Sequence, residues 1–430
     1  MNWLNIWKRV WFRAETTTPL EVVRIGVAIA TLILYGSIWS ELPALYGNEG
    51  WVSREALSPW ADNPWTQSLL FHFTTPGYLW AIYLVLLLSA TALLLGWRTR
   101  WVKWLVLIAH VSMLARNPHI YYGVDGILAS LLLILCLAPI GQSLSLDSVR
   151  RQRRARHQDL ASLPMAMTNV WGFACLRLIQ IQMAVFYFYA GVEKVQGVSW
   201  WHGSALWIAL NNQEYANIPI GWMAEHVWTV NVLSYFTILI ELAYPFLIWG
   251  RSTRPYLLVM AILLHVGIAV MMGLYIFSFV MIVGHLAFLR HEWLADWGRR
   301  WKSRVGPMEM IYDGNCGFCK RSLAWLLAFD GLGQISVRDY RRDPSPVVSS
   351  ELVDKALYVV MPDGRNHPGF DAYRHVVLRV PGLWWLVPLF YIPVLSRTVG
   401  RRTYNWVATH RHEISACGTQ TACSTDRGES

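Results

Sequence analysis

Eight apolar runs occupy the first 290 residues, near 20–40, 76–96, 101–117, 123–140, 170–191, 227–249, 255–273 and 275–290. Each approaches the length a helix needs to cross a hydrocarbon core. In lipid the backbone must satisfy its own hydrogen bonds, so runs of this length restrict the fold to an α-helical polytopic membrane bundle of about eight transmembrane helices. The third and last runs are short, which suits tilted, partly buried or interfacial segments. With 55% hydrophobic and only 15% charged residues, the chain is too apolar for an ordinary soluble protein of its size. No cleavable signal peptide is expected. Residues 1–13 are Trp-rich and basic, and Glu15-Thr-Thr-Thr-Pro19 interrupts the chain before the first run.

A net charge of +10 could point to nucleic acid, but the cations are distributed as in a membrane protein. Lys8, Arg9 and Arg13 precede the first run, and Glu41, Glu49, Glu55 and Asp62 follow it. Arg98, Arg100 and Lys103, then Arg150 to Arg156, then Arg251 and Arg254, then Arg290 to Arg304 fill alternate links. Eight crossings put every basic cluster on one side, the cytoplasmic side, with both termini there. The expected location is the cytoplasmic membrane, with the bilayer as partner and no nucleic acid. The Trp residues read as interfacial belts. Cys136 and Cys175 lie inside apolar runs as small buried hydrophobes.

After residue 300 the pattern changes. Met310-Ile-Tyr-Asp-Gly-Asn-Cys-Gly-Phe-Cys-Lys320 places Cys316 and Cys319 between a short apolar run and an amphipathic one. A strand ending in a Cys-x-x-Cys helix start is how a thioredoxin-like domain presents a redox dithiol. The helix N-terminus favours thiolate over thiol. Cys316 is expected as the exposed nucleophile and Cys319 as the resolving thiol. Residues 335–339 and 356–361 read as strands, Pro362-Asp-Gly364 as a turn and 370–379 as a helix. Residues 384–399 are apolar but broken by Pro388 and Pro393, so they are not a ninth span. The expected division is a membrane domain over 1–300, a small α/β thioredoxin-like domain over 307–415, and a flexible tail over 416–430 carrying Cys417 and Cys423. Those two thiols could resolve or relay disulfides to Cys316, or join Cys316 and Cys319 in a zinc-binding regulatory module.

Asp313-Gly-Asn-Cys-Gly-Phe-Cys319, Pro362-Asp-Gly364, Gly369-Phe-Asp-Ala-Tyr373 and the ending from Tyr404-Asn-Trp406 to His412 resemble the DCC family over roughly 308–415. That resemblance implies a thiol-disulfide oxidoreductase with a thioredoxin-like fold, with Asp313 beside the substrate and a thioredoxin-like or peptide thiol as partner. No counterpart of the thioredoxin cis-proline stands out except Pro362. The first 290 residues resemble the horizontally transferred transmembrane (HTTM) domain related to vitamin K-dependent gamma-carboxylase. Tyr187-Phe-Tyr-Ala-Gly-Val-Glu-Lys194 with Trp201-His-Gly203, Asn117-Pro-His119 with Tyr122-Gly123, and Tyr275-Ile-Phe-Ser-Phe-Val-Met281 with His265 one helix earlier carry it. The resemblance implies Lys194 as a catalytic base, His119 in support, and a quinone or hydroquinone as substrate or cofactor. The lumenal domain with which carboxylases hold protein substrates has no counterpart.

The residues point to the same places on their own terms. Lys194 at a hydrophobic boundary is either a usable base or an interfacial lysine paired with Glu193. Arg24, Arg177 and Glu241 lie at hydrocarbon depth, where a charge needs a partner or a wet cavity. An Arg177–Glu241 or Arg24–Glu241 pair tying the bundle is one expectation. A polar cavity admitting a quinone head group or a proton, with Arg177, Glu241 and His265 binding it, is the other. His110, His265 and His285 sit in different runs without metal-ligand spacing, so no metal is expected. The rival reading makes the membrane half a non-catalytic anchor or maturation accessory carrying a redox domain.

Overall fold

The computed structural model describes residues 3–57, 68–72, 75–160, 168–215 and 217–417. It divides into two compact units, one of 1–147 and 167–291, the other of 148–166 and 292–430.

In the first unit a helix stands at each of the eight expected runs: Thr18–Ser37, Pro76–Leu95, Thr99–Arg116, Gly123–Leu137, Val170–Gln196, Val227–Leu247, Arg254–Met272 and Tyr275–His285. Five are long and apolar enough to cross a membrane, those beginning near 18, 77, 170, 227 and 254. These criteria of length and composition therefore support five of the eight expected spans. Thr99–Arg116 carries Arg100, Lys103 and Arg116 within 18 residues, and Gly123–Leu137 and Tyr275–Phe288 are short. Leu88, Leu239 and Leu263 are each more than half exposed on outward faces, an arrangement stable against lipid rather than water. Inside, Val23, Val27, Leu86, Leu93, Val106, Leu128 and Leu135 form one buried core.

Arg24 ties this unit together. Its side chain and that of Glu21 are wholly buried, 2.8 Å apart one helical turn from each other. Arg24 also donates to Leu93 O, to Leu94 O (3.0 Å) and to Leu144 O (2.6 Å), and Glu21 accepts from the Gln142 N–H at 2.7 Å. The sharp link at 96–98 is closed by Asp147, whose carboxylate accepts from the N–H groups of Arg98 and Thr99. Gly96 has φ +65°, and a Cβ there would collide with Ser145, so only glycine fits.

The second unit contains a four-stranded sheet. β1 (Met308–Tyr312) pairs parallel with β2 (Ile335–Asp339), in register Met308↔Ile335. It pairs antiparallel with β3 (Tyr358–Val360), which pairs antiparallel with β4 (Asn366–Pro368), giving the order β2-β1-β3-β4. The Gly317–Phe329 helix makes the β1-to-β2 crossover, and Gly369–Arg379 follows β4. Met308, Met310, Leu323, Leu327, Val359, Ala372 and Val376 fill the core. The basic Leu146–Gln158 helix, expected as a link of the membrane domain, belongs to this unit from Ser148 onward. Arg153 stacks on Trp325 at 4.3 Å and Leu160 packs against the core. Residues 384–399 fold as short helical pieces rather than a span. The expected tail begins later than 416, because the Arg401–Cys417 helix runs through Cys417. The side chain of Cys417 and the whole of Cys423 lie outside the described residues.

Candidate functional site

Cys316 is the N-cap of the Gly317–Phe329 helix, and its Sγ accepts from the Cys319 N–H at 3.2 Å. The two cysteines are joined as a disulfide, Cα atoms 5.3 Å apart. The turn that delivers Cys316 is built by carboxylates. Asp313, buried, accepts from the Asn315 N–H (2.9 Å) and from Arg341 Nε (2.5 Å). Asp339, at the end of β2, accepts from the Gly314 N–H at 3.0 Å. A Cβ at Gly314 would strike that carboxylate, which explains the glycine after Asp313. The Asp313 hydrogen bond holds the Arg341 guanidinium above its ordinary pKa.

Two expectations change here. Cys316 is buried, whereas Cys319 is half-buried and packs against the core of the domain, so Cys316 is not the exposed member of the pair. Asp313 is equally enclosed and acts on the turn rather than facing a substrate. All described peptide bonds are trans, and Pro362 sits in the β3–β4 turn. Cys316 and Cys319, two of the four cysteines in the zinc reading, are joined to each other, and among the described residues, which leave out Cys423 and the Cys417 side chain, no three His, Cys, Asp or Glu side chains gather as a metal site.

The membrane unit holds a cavity of about 320 Å³. Its polar wall consists of Lys194, Tyr187, Thr237, Glu241 and His265, and the rest is apolar or aromatic, including Phe186, Trp200 and Phe277. A second, apolar cavity of about 190 Å³ shares Leu206, Thr237, Leu264, Ile268 and Met272 with it. Lys194 Nζ lies 2.9 Å from Glu241 Oε2 and 5.3 Å from the Trp200 ring. Behind the wall, Tyr187 Oη lies 2.9 Å from both His265 Nε2 and His285 Nε2, and His285 Nδ1 lies 2.7 Å from Tyr244 Oη. All four side chains are buried, and the rings of Tyr187 and Tyr244 stack at 4.1 Å.

The structure thus brings Lys194, Glu241 and His265 together. Glu241 pairs with Lys194, so neither expected arginine partner is used, nor is Glu193, which is exposed. Arg24 is taken by Glu21. Arg177 hydrogen-bonds Gln180 (2.9 Å) and Val10 O (3.2 Å) and lies over Phe173, away from the cavity. His119 is exposed in the Pro118–Ile120 turn and is not among the cavity-lining residues; the Tyr122 ring beyond it lies 6.4 Å from that of Phe277 on the wall. Tyr244 and the joining of His285 to His265 escaped the sequence reading. The signal was present as polar residues at helical spacing inside apolar runs, Tyr187 with Lys194 seven apart and Glu241 with Tyr244 three apart. His110 is separate, held by Tyr35 Oη at 2.8 Å.

A family model for the HTTM domain matches residues 12–293, more than half of the chain. A second, for a DCC1-like thiol-disulfide oxidoreductase, matches residues 310–417. No curated protein matches the chain, and no solved structure does.

Proposed function

The chain belongs to the HTTM family and carries a DCC1-like thiol-disulfide oxidoreductase domain, and on that premise we propose a membrane-bound thiol-disulfide oxidoreductase whose membrane cavity takes the head group of a quinone-like lipid. The observation that carries the lipid half is the paired cavity: a mostly apolar chamber with a cluster of polar groups on its wall, sized for a ring system and sharing lining residues with an apolar annex suited to a hydrocarbon tail. The observation behind the dithiol half is a Cys-x-x-Cys pair at a helix N-terminus inside a βαβ unit.

In the exchange step a partner thiolate attacks Sγ of Cys319, the less buried residue of the pair. The Cys316–Cys319 bond breaks, and its electron pair stays on Cys316 Sγ, which the Cys319 N–H already faces. A second partner thiol then displaces Cys319, leaving a partner disulfide and the reduced dithiol. Two thiols and a quinone return a disulfide and a hydroquinone, so the membrane ligand is a fitting oxidant for the pair.

We place the basic clusters and both termini on the cytoplasmic side. The Ser148–Gln158 segment and the C-terminal domain share one compact unit, which requires an even number of crossings between them. The four helices over 170–285 meet that requirement, which favours eight crossings in all.

Labelling full-length protein in nanodiscs with a photoreactive azidoquinone tests the cavity. The reading predicts label near Lys194, abolished by Ile268→Trp, which fills the shared wall. Label that ignores Ile268→Trp would overturn it.

A further inference from the structure

His265 Nδ1 is buried on the cavity wall and has no hydrogen-bond partner among the described residues. Its other nitrogen opens an unbroken chain, His265 Nε2 to Tyr187 Oη to His285 Nε2, then His285 Nδ1 to Tyr244 Oη. A neutral imidazole has one donor and one acceptor, and a phenol can do both. The chain therefore has two complete arrangements. In one, every proton points away from the cavity and His265 Nδ1 is an acceptor. In the other, every proton points toward it and His265 Nδ1–H is a donor.

We propose that these four side chains form a proton relay that serves a hydroxyl-bearing aromatic ligand in the cavity, with His265 Nδ1 as its docking point. This rests on the cavity being a ligand site, as above. The ligand O–H bond breaks and an N–H bond forms at Nδ1. The Nε2 proton passes to Tyr187, the Tyr187 proton to His285 Nε2, and the His285 Nδ1 proton to Tyr244. Tyr244 is wholly buried, so the original Tyr244 proton leaves to a water molecule that the passage must admit to Tyr244 Oη. The relay stays neutral, and the ligand becomes an anion facing a new Nδ1–H donor and the Lys194 ammonium on the same wall. One passage thus converts the site from reading a hydroxyl to holding an oxyanion or carbonyl oxygen, the change a hydroquinone undergoes as it reacts. Direction follows from the helix: Tyr244 lies one turn beyond Glu241, toward the Arg251–Arg254 turn. His265 is the group that touches the ligand; Tyr187, His285 and Tyr244 act through it.

The test uses 4-nitro-1-naphthol, whose phenolate is coloured, with full-length protein in phosphatidylcholine nanodiscs, buffered below the pH at which the free probe ionises. The relay predicts that bound probe shows the phenolate band. It also predicts that Tyr187→Phe and Tyr244→Phe, which keep the stacked rings, still bind but lose that band by roughly tenfold or more. A phenolate band unchanged in both variants but lost in Lys194→Met would assign the proton to Lys194 and overturn the relay alone. A probe that does not bind wild-type protein would overturn the cavity reading and the relay with it.

Discussion

Replacing Arg24 by Met removes one of the two wholly buried arginines described in the membrane unit while largely keeping side-chain length. Glu21 then stands as a buried anion facing only backbone N–H groups, those of Gln142 and Ser143, and Leu93 O, Leu94 O and Leu144 O lose the guanidinium, Leu93 O keeping the Gly96 N–H. Breaking a buried pair on one side costs about 3–5 kcal/mol. The lost guanidinium hydrogen bonds add to this, less than additively because they share one side chain. For a unit of this size that corresponds to a fall in Tm on the order of 10 °C. Cys136 and Cys175 are free and buried, so a thiol-reactive fluorophore reports opening of this unit directly in detergent. The double variant Arg24→Met with Glu21→Gln removes the stranded charge and should recover part of the loss. A single variant that melts within a degree of wild type, or a double variant no better than the single, would refute the assignment of Arg24 as a charge clamp.

Three further outcomes follow from the site geometry. Asp313→Asn weakens the hold of Arg341 on the turn, so Cys316 in reduced protein should alkylate on the order of tenfold faster, with Cys319 little changed. Glu241→Gln leaves Lys194 without its partner, and competition binding should show preference shifting from 2-naphthol toward 2-naphthoate by about tenfold. His375 has its pKa lowered by burial and then by His367 and Arg379, with Arg374 adding to the lowering and Asp371 opposing it. The unfolded chain therefore binds the proton more readily, so stability is complete above the ordinary histidine range and declines as pH falls below about 6.5. Hydrogen exchange of the Gly369–Arg379 helix in the full chain should accelerate between pH 7 and pH 5, and His375→Gln should flatten that dependence.

The positions of all eight apolar helices were legible because lipid demands long apolar runs, and a run is a local property. Which of them cross was less legible: charges on Thr99–Arg116 and the shortness of Tyr275–His285 blur the criterion. The redox helix and its strands were legible for a similar reason, since Asp313-Gly-Asn-Cys compresses a turn, an N-cap and a close approach into four residues. Partners were not legible. Glu241 could have met Arg24, Arg177 or Lys194, and only packing of the Val170–Gln196 helix on Val227–Leu247 selects Lys194. Burial of Cys316, and the meeting of His265 with His285 through Tyr187, likewise depend on three-dimensional packing that spacing does not encode.

The most direct test of the account is thiol trapping of Cys316 and Cys319 in reduced, full-length protein under anaerobic conditions, with and without decylubiquinone. The account predicts that the quinone restores the Cys316–Cys319 disulfide, that Lys194→Ala slows this, and that His119→Ala, remote from the cavity wall, slows it less. A dithiol that stays reduced with quinone yet exchanges with a thioredoxin-like partner would contradict it, leaving the membrane half as an anchor for a separate redox domain.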